Sequence, residues 1–146
     1  MIKRSHGAVA AVIILAFTGC AKRTSPAPSP PSAPPAAGAR RALEAREGLA
    51  SYYAPAFQGR KTASGAAFDN RELVAAHLSY PFGSLVRVTN LANRRAVLLV
   101  IVDRGPAPAA SADGVIIDVS RAAAERLDFI RAGRTRVRVE VLRWGD

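Results

Sequence analysis

The sequence predicts a mainly β domain over residues 48–143, a small closed barrel of short strands carrying one or two short helices. Three observations lead there. Runs rich in Val, Ile and Leu recur at short intervals between Gly, Asn and Pro punctuation; the last of them, TRVRVEVLR (135–143), alternates strictly between apolar and polar residues; and one alanine-rich stretch with helical spacing interrupts the series. Several short strands with so little helix favour a barrel, because closing a sheet on itself removes the unpaired edges that an open sheet exposes.

The segments before the domain have a different character. Residues 1–20, MIKRSHGAVAAVIILAFTGC, have the three parts of a secretory signal: Lys3 and Arg4, an apolar run from Gly7 to Phe17, then the small residues Thr18 and Gly19 before Cys20. The run is shorter than the roughly 20 apolar residues a permanent span needs. Cys20 is the only cysteine, so no intrachain disulfide can form. Phe-Thr-Gly-Cys resembles a bacterial lipobox, in which cleavage leaves the cysteine as a lipidated N-terminus; the plainer alternative is an ordinary signal peptide with an incidental cysteine. Two or three acyl chains anchor stably, since each buried methylene contributes about 0.8 kcal/mol and one chain alone is marginal. Alanine at position 21 fits sorting to the outer membrane of a Gram-negative cell, which places the chain in the periplasm at that membrane's inner leaflet. Residues 21–47 read as a Pro/Ala/Ser-rich linker, because six of the ten prolines fall between Pro26 and Pro35. RALEAREG (41–48) at its end has the composition of one or two helical turns.

The formal charge is +10, of which two charges leave with the signal, giving 10 − 2 = +8. Such a surface attracts polyanions. Export removes nucleic acid from the expected partners, and no aromatics are interleaved with the basic residues as a single-strand platform requires. An arginine-rich surface that only keeps the chain soluble explains the charge equally well.

Within the domain, GLASYYA (48–54) reads as the first strand. SLVRVTNL (84–91) and RAVLLVIVD (95–103) form a hairpin about the turn ANR, and the unbroken apolar run from Ala96 to Val102 predicts burial of both faces. GVIIDVS (114–120) is the next strand, and Ser120 is a suitable N-cap for the helix RAAAERLDFI. AGR (132–134) turns the chain into the final strand, whose Val137, Val139 and Val141 share one face.

Few residues offer chemistry. His77 is the domain's sole histidine and titrates near neutrality in free form; it reads either as a site residue or as a satisfied core histidine. Asp103 ends the most apolar run and begins Asp-Arg-Gly-Pro, where it either works in a site beside Arg104 or ties its own turn by accepting backbone N–H groups. Asp118, just before the helix, reads as a structural cap or turn residue. Of Tyr52 and Tyr53, strand alternation lets only one face a given groove. KTASGAAFDN (61–70) has the small residues of a substrate rim with alanines at its centre. There is no metal-ligand cluster, no phosphate loop and no nucleophile elbow, so neither a metal nor a cofactor is expected.

The ordered blocks ASYY, F-x-G-R-x-T-A-S-G, AAH, PFG-x-x-V-R-V-T-N, DRGP and ID-x-S-x-A-A-A, read from Gly48 to Leu142, resemble the rare lipoprotein A (RlpA-like) family. The resemblance implies a six-stranded double-psi β-barrel and endolytic lytic transglycosylase action on peptidoglycan glycan strands, with a preference for strands stripped of stem peptides. In that reaction the MurNAc–GlcNAc bond opens as the muramic acid C6 hydroxyl closes on C1, giving a 1,6-anhydro sugar without water. Carried over by position, the family's aspartate is Asp103 and its histidine is His77. Thr62, Ser64, Gly65, Ala66 and Tyr53 line the implied substrate groove. The implied partners are glycan strands, the membrane through Cys20, and the cell-division machinery.

The family's glutamate, which follows T-A-S-G, stands here as Ala66. A methyl group donates no proton, so the alternative is a catalytically inactive peptidoglycan-binding lipoprotein unless Asp103 suffices or Asp69 swings into the gap. Glycines of the family pattern in the hairpin turn and after the helix's leucine are Arg94 and Asp128 here. Many members of the family carry a C-terminal glycan-binding repeat domain that the residues up to Asp146 do not include, so septal targeting is not among the expectations.

Overall fold

The computed structural model describes residues 41–146. The expected signal segment, lipidation at Cys20 and most of the linker lie outside the described residues. Strands β1 (Glu44–Tyr52), β2 (Val74–Ala76), β3 (Leu85–Asn90), β4 (Ala96–Asp103), β5 (Val115–Val119) and β6 (Thr135–Arg143) close into a barrel in the order β1-β5-β2-β4-β3-β6, with β6 returning to β1. Helices α1 (Pro108–Ala112) and α2 (Arg121–Leu127) complete the expected mainly β architecture. β1 runs parallel to β5 and β2 parallel to β4, and the other pairs are antiparallel.

The barrel interior is filled by alternate residues. Val86 and Val88 of β3, Leu99 and Ile101 of β4, Ile117 and Val119 of β5, and Val137, Val139 and Val141 of β6 are all fully buried. Polar residues on β6 face outward, and Arg87 of β3 meets Glu140 of β6 across the pair at 2.8 Å. Helix α2 packs Ala123, Ala124 and Leu127 on this core, and its N-cap is Ser120, whose hydroxyl accepts from Ala123 N.

Two expectations are corrected, and two further elements are found. The residues that looked helical before the domain pair with β6 instead, so β1 begins at Glu44, because β6 is long enough to recruit them. β4 buries one face, not two: Leu98 is 49% exposed while Leu99 is fully buried, because a barrel has one interior and little covers β4 outside. VAA (74–76), too short to show a period, is the strand β2. The stretch APAASADG contains α1, started by Pro108 in its first turn.

Among the described residues, two that are not glycine adopt left-handed backbone, Arg94 at φ 66° and Asp128 at φ 59°. In the hairpin turn and after the helix's leucine, these are the positions where the resemblance expects glycine and the chain departs from it.

Candidate functional site

Cross-strand register builds the site. Ala76 of β2 pairs on one side with Asp103 of β4 and on the other with Asp118 of β5, and Asp118 pairs onward with Ser51 of β1. Ser51, Asp118, Ala76 and Asp103 thus form a row across four neighbouring strands. The two aspartates lie two strand spacings apart, roughly 9–10 Å between Cα atoms. Along β5, Val115, Ile117 and Val119 point into the barrel, so Asp118 points out of it. On β4 the inward set would have included Asp103. A bulge intervenes: Ala75 pairs with Ile101 but Ala76 with Asp103, and the extra residue turns the aspartate away from the core.

Both carboxyl groups line a groove of about 510 Å³, together with Ser51, Tyr53, Phe57, Leu78 and the turn from Arg104 to Pro108. That volume lies within the range of small-ligand sites. Gly105 closes down on the row: a Cβ there would come within 3.2 Å of the Ala76 Cβ and 3.3 Å of Asp118 Oδ2, so any side chain at this position would push on its neighbours by a few tenths of an ångström.

Asp103 is an acceptor throughout. Its Oδ1 accepts from Ala63 N and Arg104 N, each at 2.8 Å, and its Oδ2 accepts from the Tyr53 hydroxyl at 2.8 Å. Asp103 thus ties its own turn, as one of the two sequence readings expects, and it also lines the groove. The Arg104 guanidinium does not face it; it donates to Tyr80 O at 2.8 Å and lies over the Phe82 ring at 3.8 Å. Tyr53 is the tyrosine that faces the groove, stacked near Phe68 and Phe57, and burial with the adjacent Asp103 pushes its hydroxyl well above the ordinary tyrosine range. It is a fixed neutral donor. Tyr52 turns away to Phe129 and to Ile130 O.

The rim loop 61–67 leans on the end of β4. Gly65 sits at φ 95° in a turn closed by Gly65 N to Thr62 O at 2.9 Å, and Ser64 N reaches Val102 O at 3.2 Å. The buried Thr62 hydroxyl bonds Ala66 O at 2.9 Å and Ser64 Oγ at 3.0 Å, so it holds the loop's shape. Ala66 is exposed in this loop and is not among the residues lining the groove. Asp69 is held in a two-point pair with Arg71, at 2.8 Å and 3.0 Å, which depresses its carboxyl far below the usual range. In this arrangement Asp69 turns to Arg71 and Gln58, and it does not line the groove.

His77 lies next to Asp103 in backbone, donating its N–H to Asp103 O at 3.3 Å, but its ring turns the other way. Nδ1 accepts from Ser79 N and Tyr80 N at 3.3 Å and 3.2 Å, and the ring stacks on Tyr80 at 3.5 Å between centroids. Burial, aided by Arg46 and opposed by Glu44, lowers it from 6.5 to about 4. It is a neutral, satisfied histidine and does not line the groove.

Sequence reading missed Asp118 and Ser51. Burial raises Asp118, with the hydrogen bond from Ser51 and the charge of Arg134 opposing and Asp103 adding to the rise. The signal was present in IIDVS, where alternation sends Asp118 opposite to Ile117 and Val119, and Ser120 already supplied the cap. Among the described residues no three His, Cys, Asp or Glu side chains converge as metal ligands.

Comparison with known proteins places the chain in a family. A family model described as lytic transglycolase matches residues 45–139. An endolytic peptidoglycan transglycosylase RlpA of Campylobacter jejuni is 40% identical over 103 residues, covering 70% of this chain and 36% of that protein. The protein of the same name from Pasteurella multocida is 48% identical over 98 residues, covering 67% and 32%, and a probable one from Treponema pallidum is 52% identical over 93 residues, covering 64% and 28%. The chain spans about a third of the length of these relatives. Among solved structures, a Streptomyces papain inhibitor superposes with a TM-score of 0.55 at 22% identity over 70% of this chain and 97% of its own, and a Clavibacter michiganensis expansin with 0.53 at 19% over 70% and 52%; both likenesses concern the fold alone. With the family match spanning nearly all of the barrel, and relatives at 40 to 52% identity along it, the chain belongs to the RlpA-like family of double-psi β-barrels.

Proposed function

We propose that this protein is a lytic transglycosylase of the bacterial envelope that cuts peptidoglycan glycan strands to 1,6-anhydro products. The observation that carries the reading is the groove at the end of β4, where Asp103 is fixed by three donors beside a second carboxyl group on the barrel of this family. The relatives named as peptidoglycan transglycosylases support the substrate class. The reaction needs a proton delivered to the glycosidic oxygen and another removed from the C6 hydroxyl, and carboxyl groups in a partly dry groove suit that task. Unlike hydrolysis, it needs no carboxylate positioned to activate water. The groove's apolar wall at Phe57 and Leu78 suits the faces of sugar rings, and a preference for strands without stem peptides belongs to the same reading. Lipidation at Cys20, a place at the inner leaflet of the outer membrane and contact with the division machinery belong to the same reading.

A second reading has its own observation. Ala66 replaces the family's glutamate and Asp69 is committed to Arg71, which favours a module that holds glycan without cutting it. Purified protein incubated with denuded glycan strands, with products identified by mass spectrometry, separates the two. Anhydro-terminated fragments that vanish in Asp103→Asn support the enzyme; glycan pull-down without such fragments in the wild type supports the binder. Fragments appearing only in Ala66→Glu would identify a lost catalyst.

A further inference from the structure

The two groove carboxyl groups are unequal in a way that suggests a division of labour. Asp103 uses three of its four acceptor positions on protein donors, leaving one on Oδ2 beside the Tyr53 hydroxyl. Asp118 has one protein donor, the Ser51 hydroxyl on Oδ1. No buried side-chain oxygen is left without a partner among the described residues, so the unpaired Oδ2 opens to the groove. Gly105 and the Ala76 methyl pack close to it, and desolvation favours the protonated form of this carboxyl. A pair of carboxyl groups whose surroundings differ in this sense is the usual arrangement for an acid and its complementary base.

Resting on the transglycosylase reading, we infer that Asp118 is the proton donor to the departing sugar oxygen and Asp103 the carboxylate that receives the C6 hydroxyl proton. In that step the bond from C1 to the glycosidic oxygen breaks and the electron pair leaves with the oxygen, which takes the Asp118 proton. The C6 oxygen bonds to C1 and its proton passes to the free position on Asp103 Oδ2. One proton has left Asp118 and one has arrived at Asp103, no water is consumed, and exchange with solvent resets the pair. Asp118 thus supplies the proton for which Ala66 has no group. The other charged or titratable groups near it are Asp103, Arg134 and Tyr53.

The test uses two substrates. Denuded glycan needs its leaving oxygen protonated, whereas a 4-methylumbelliferyl glycoside of a muramic-acid-terminated fragment releases an aryl oxygen that leaves without help. Asp118→Asn should lower anhydro-product formation from glycan by about 10² to 10⁴-fold and remove the alkaline limb of the pH–rate profile, yet keep cleavage of the aryl glycoside within about tenfold of wild type. Retained aryl cleavage also shows that the variant is folded. Asp103→Asn should lose both activities. The assignment is overturned if Asp118→Asn cuts glycan with an unchanged profile, or if it loses both substrates as a structural variant does. Wild type that cuts neither substrate overturns the transglycosylase reading together with this one, whereas an active wild type with an active Asp118→Asn overturns this one alone.

Discussion

Lowering the pH should unfold this barrel partly through His77, and the size of the effect follows from its surroundings. The ring is buried against Tyr80 with Nδ1 occupied by two backbone N–H groups, and it titrates at about 4 in the folded chain against 6.5 when free. The unfolded chain therefore takes up this proton first as pH falls. Stability from the neutral ring is complete above pH 6.5 and is lost as pH falls from there toward about 4. Between about pH 7 and about pH 4.5 the full difference amounts to about 2.5 kcal/mol. Screening where the ring's neighbours Arg46 and Glu44 meet water reduces the expected loss to about 1–2 kcal/mol. His77→Asn isolates the term, because the amide oxygen can take the place of Nδ1 in accepting from Ser79 N and Tyr80 N without titrating. Urea unfolding of both proteins at the two pH values gives the double difference, in which titration of the carboxylates cancels. Wild type should lose about 1–2 kcal/mol more than the variant on acidification. Equal losses would refute the claim that His77 is held neutral by its packing.

Three further outcomes are expected. Arg94→Gly should raise stability by about 0.5–1 kcal/mol, because it relieves left-handed strain at φ 66° that exceeds the extra freedom of an unfolded glycine; thermal melting should show a rise of several degrees. Asp128→Gly should gain less, since aspartate tolerates this region better and its pair with Arg95 would be lost. Leu99→Ala should cost about 2–5 kcal/mol and Leu98→Ala within about 0.5 kcal/mol in denaturant unfolding, because only the first lies inside the barrel. Asp103→Asn should melt near wild type, since the amide oxygen still accepts from Ala63 N and Arg104 N, whereas Asp103→Ala frees both donors and should cost about 1–3 kcal/mol.

Most of the barrel was readable because its information is local. The β-branched runs of β3 to β6 and the Ser120 cap of α2 need only neighbours in sequence to declare themselves. The errors fall where a distant partner decides. EAREG has a helical composition, yet β6 claims it as a strand. Val74–Ala76 shows no period in three residues and becomes β2 only between β4 and β5. Leu98 sits in an apolar run, and barrel curvature rather than hydrophobicity leaves it exposed.

The site divides the same way. Sequence by itself determined the family blocks, Asp103 at a strand end, the tyrosine pair and the alanine at position 66, since each is a matter of residue identity and order. Tertiary structure decided which of these meet. A bulge on β4 turned Asp103 outward, parallel pairing with β1 brought Ser51 to Asp118, and the turn at Gly105 closed down beside Asp118 and Ala76. It also turned the His77 ring toward Tyr80 and away from the groove, and committed Asp69 to Arg71. The physical reason is that alternation fixes a side chain's face only relative to its own strand, whereas register and bulges, set by partners far along the chain, fix which faces come together.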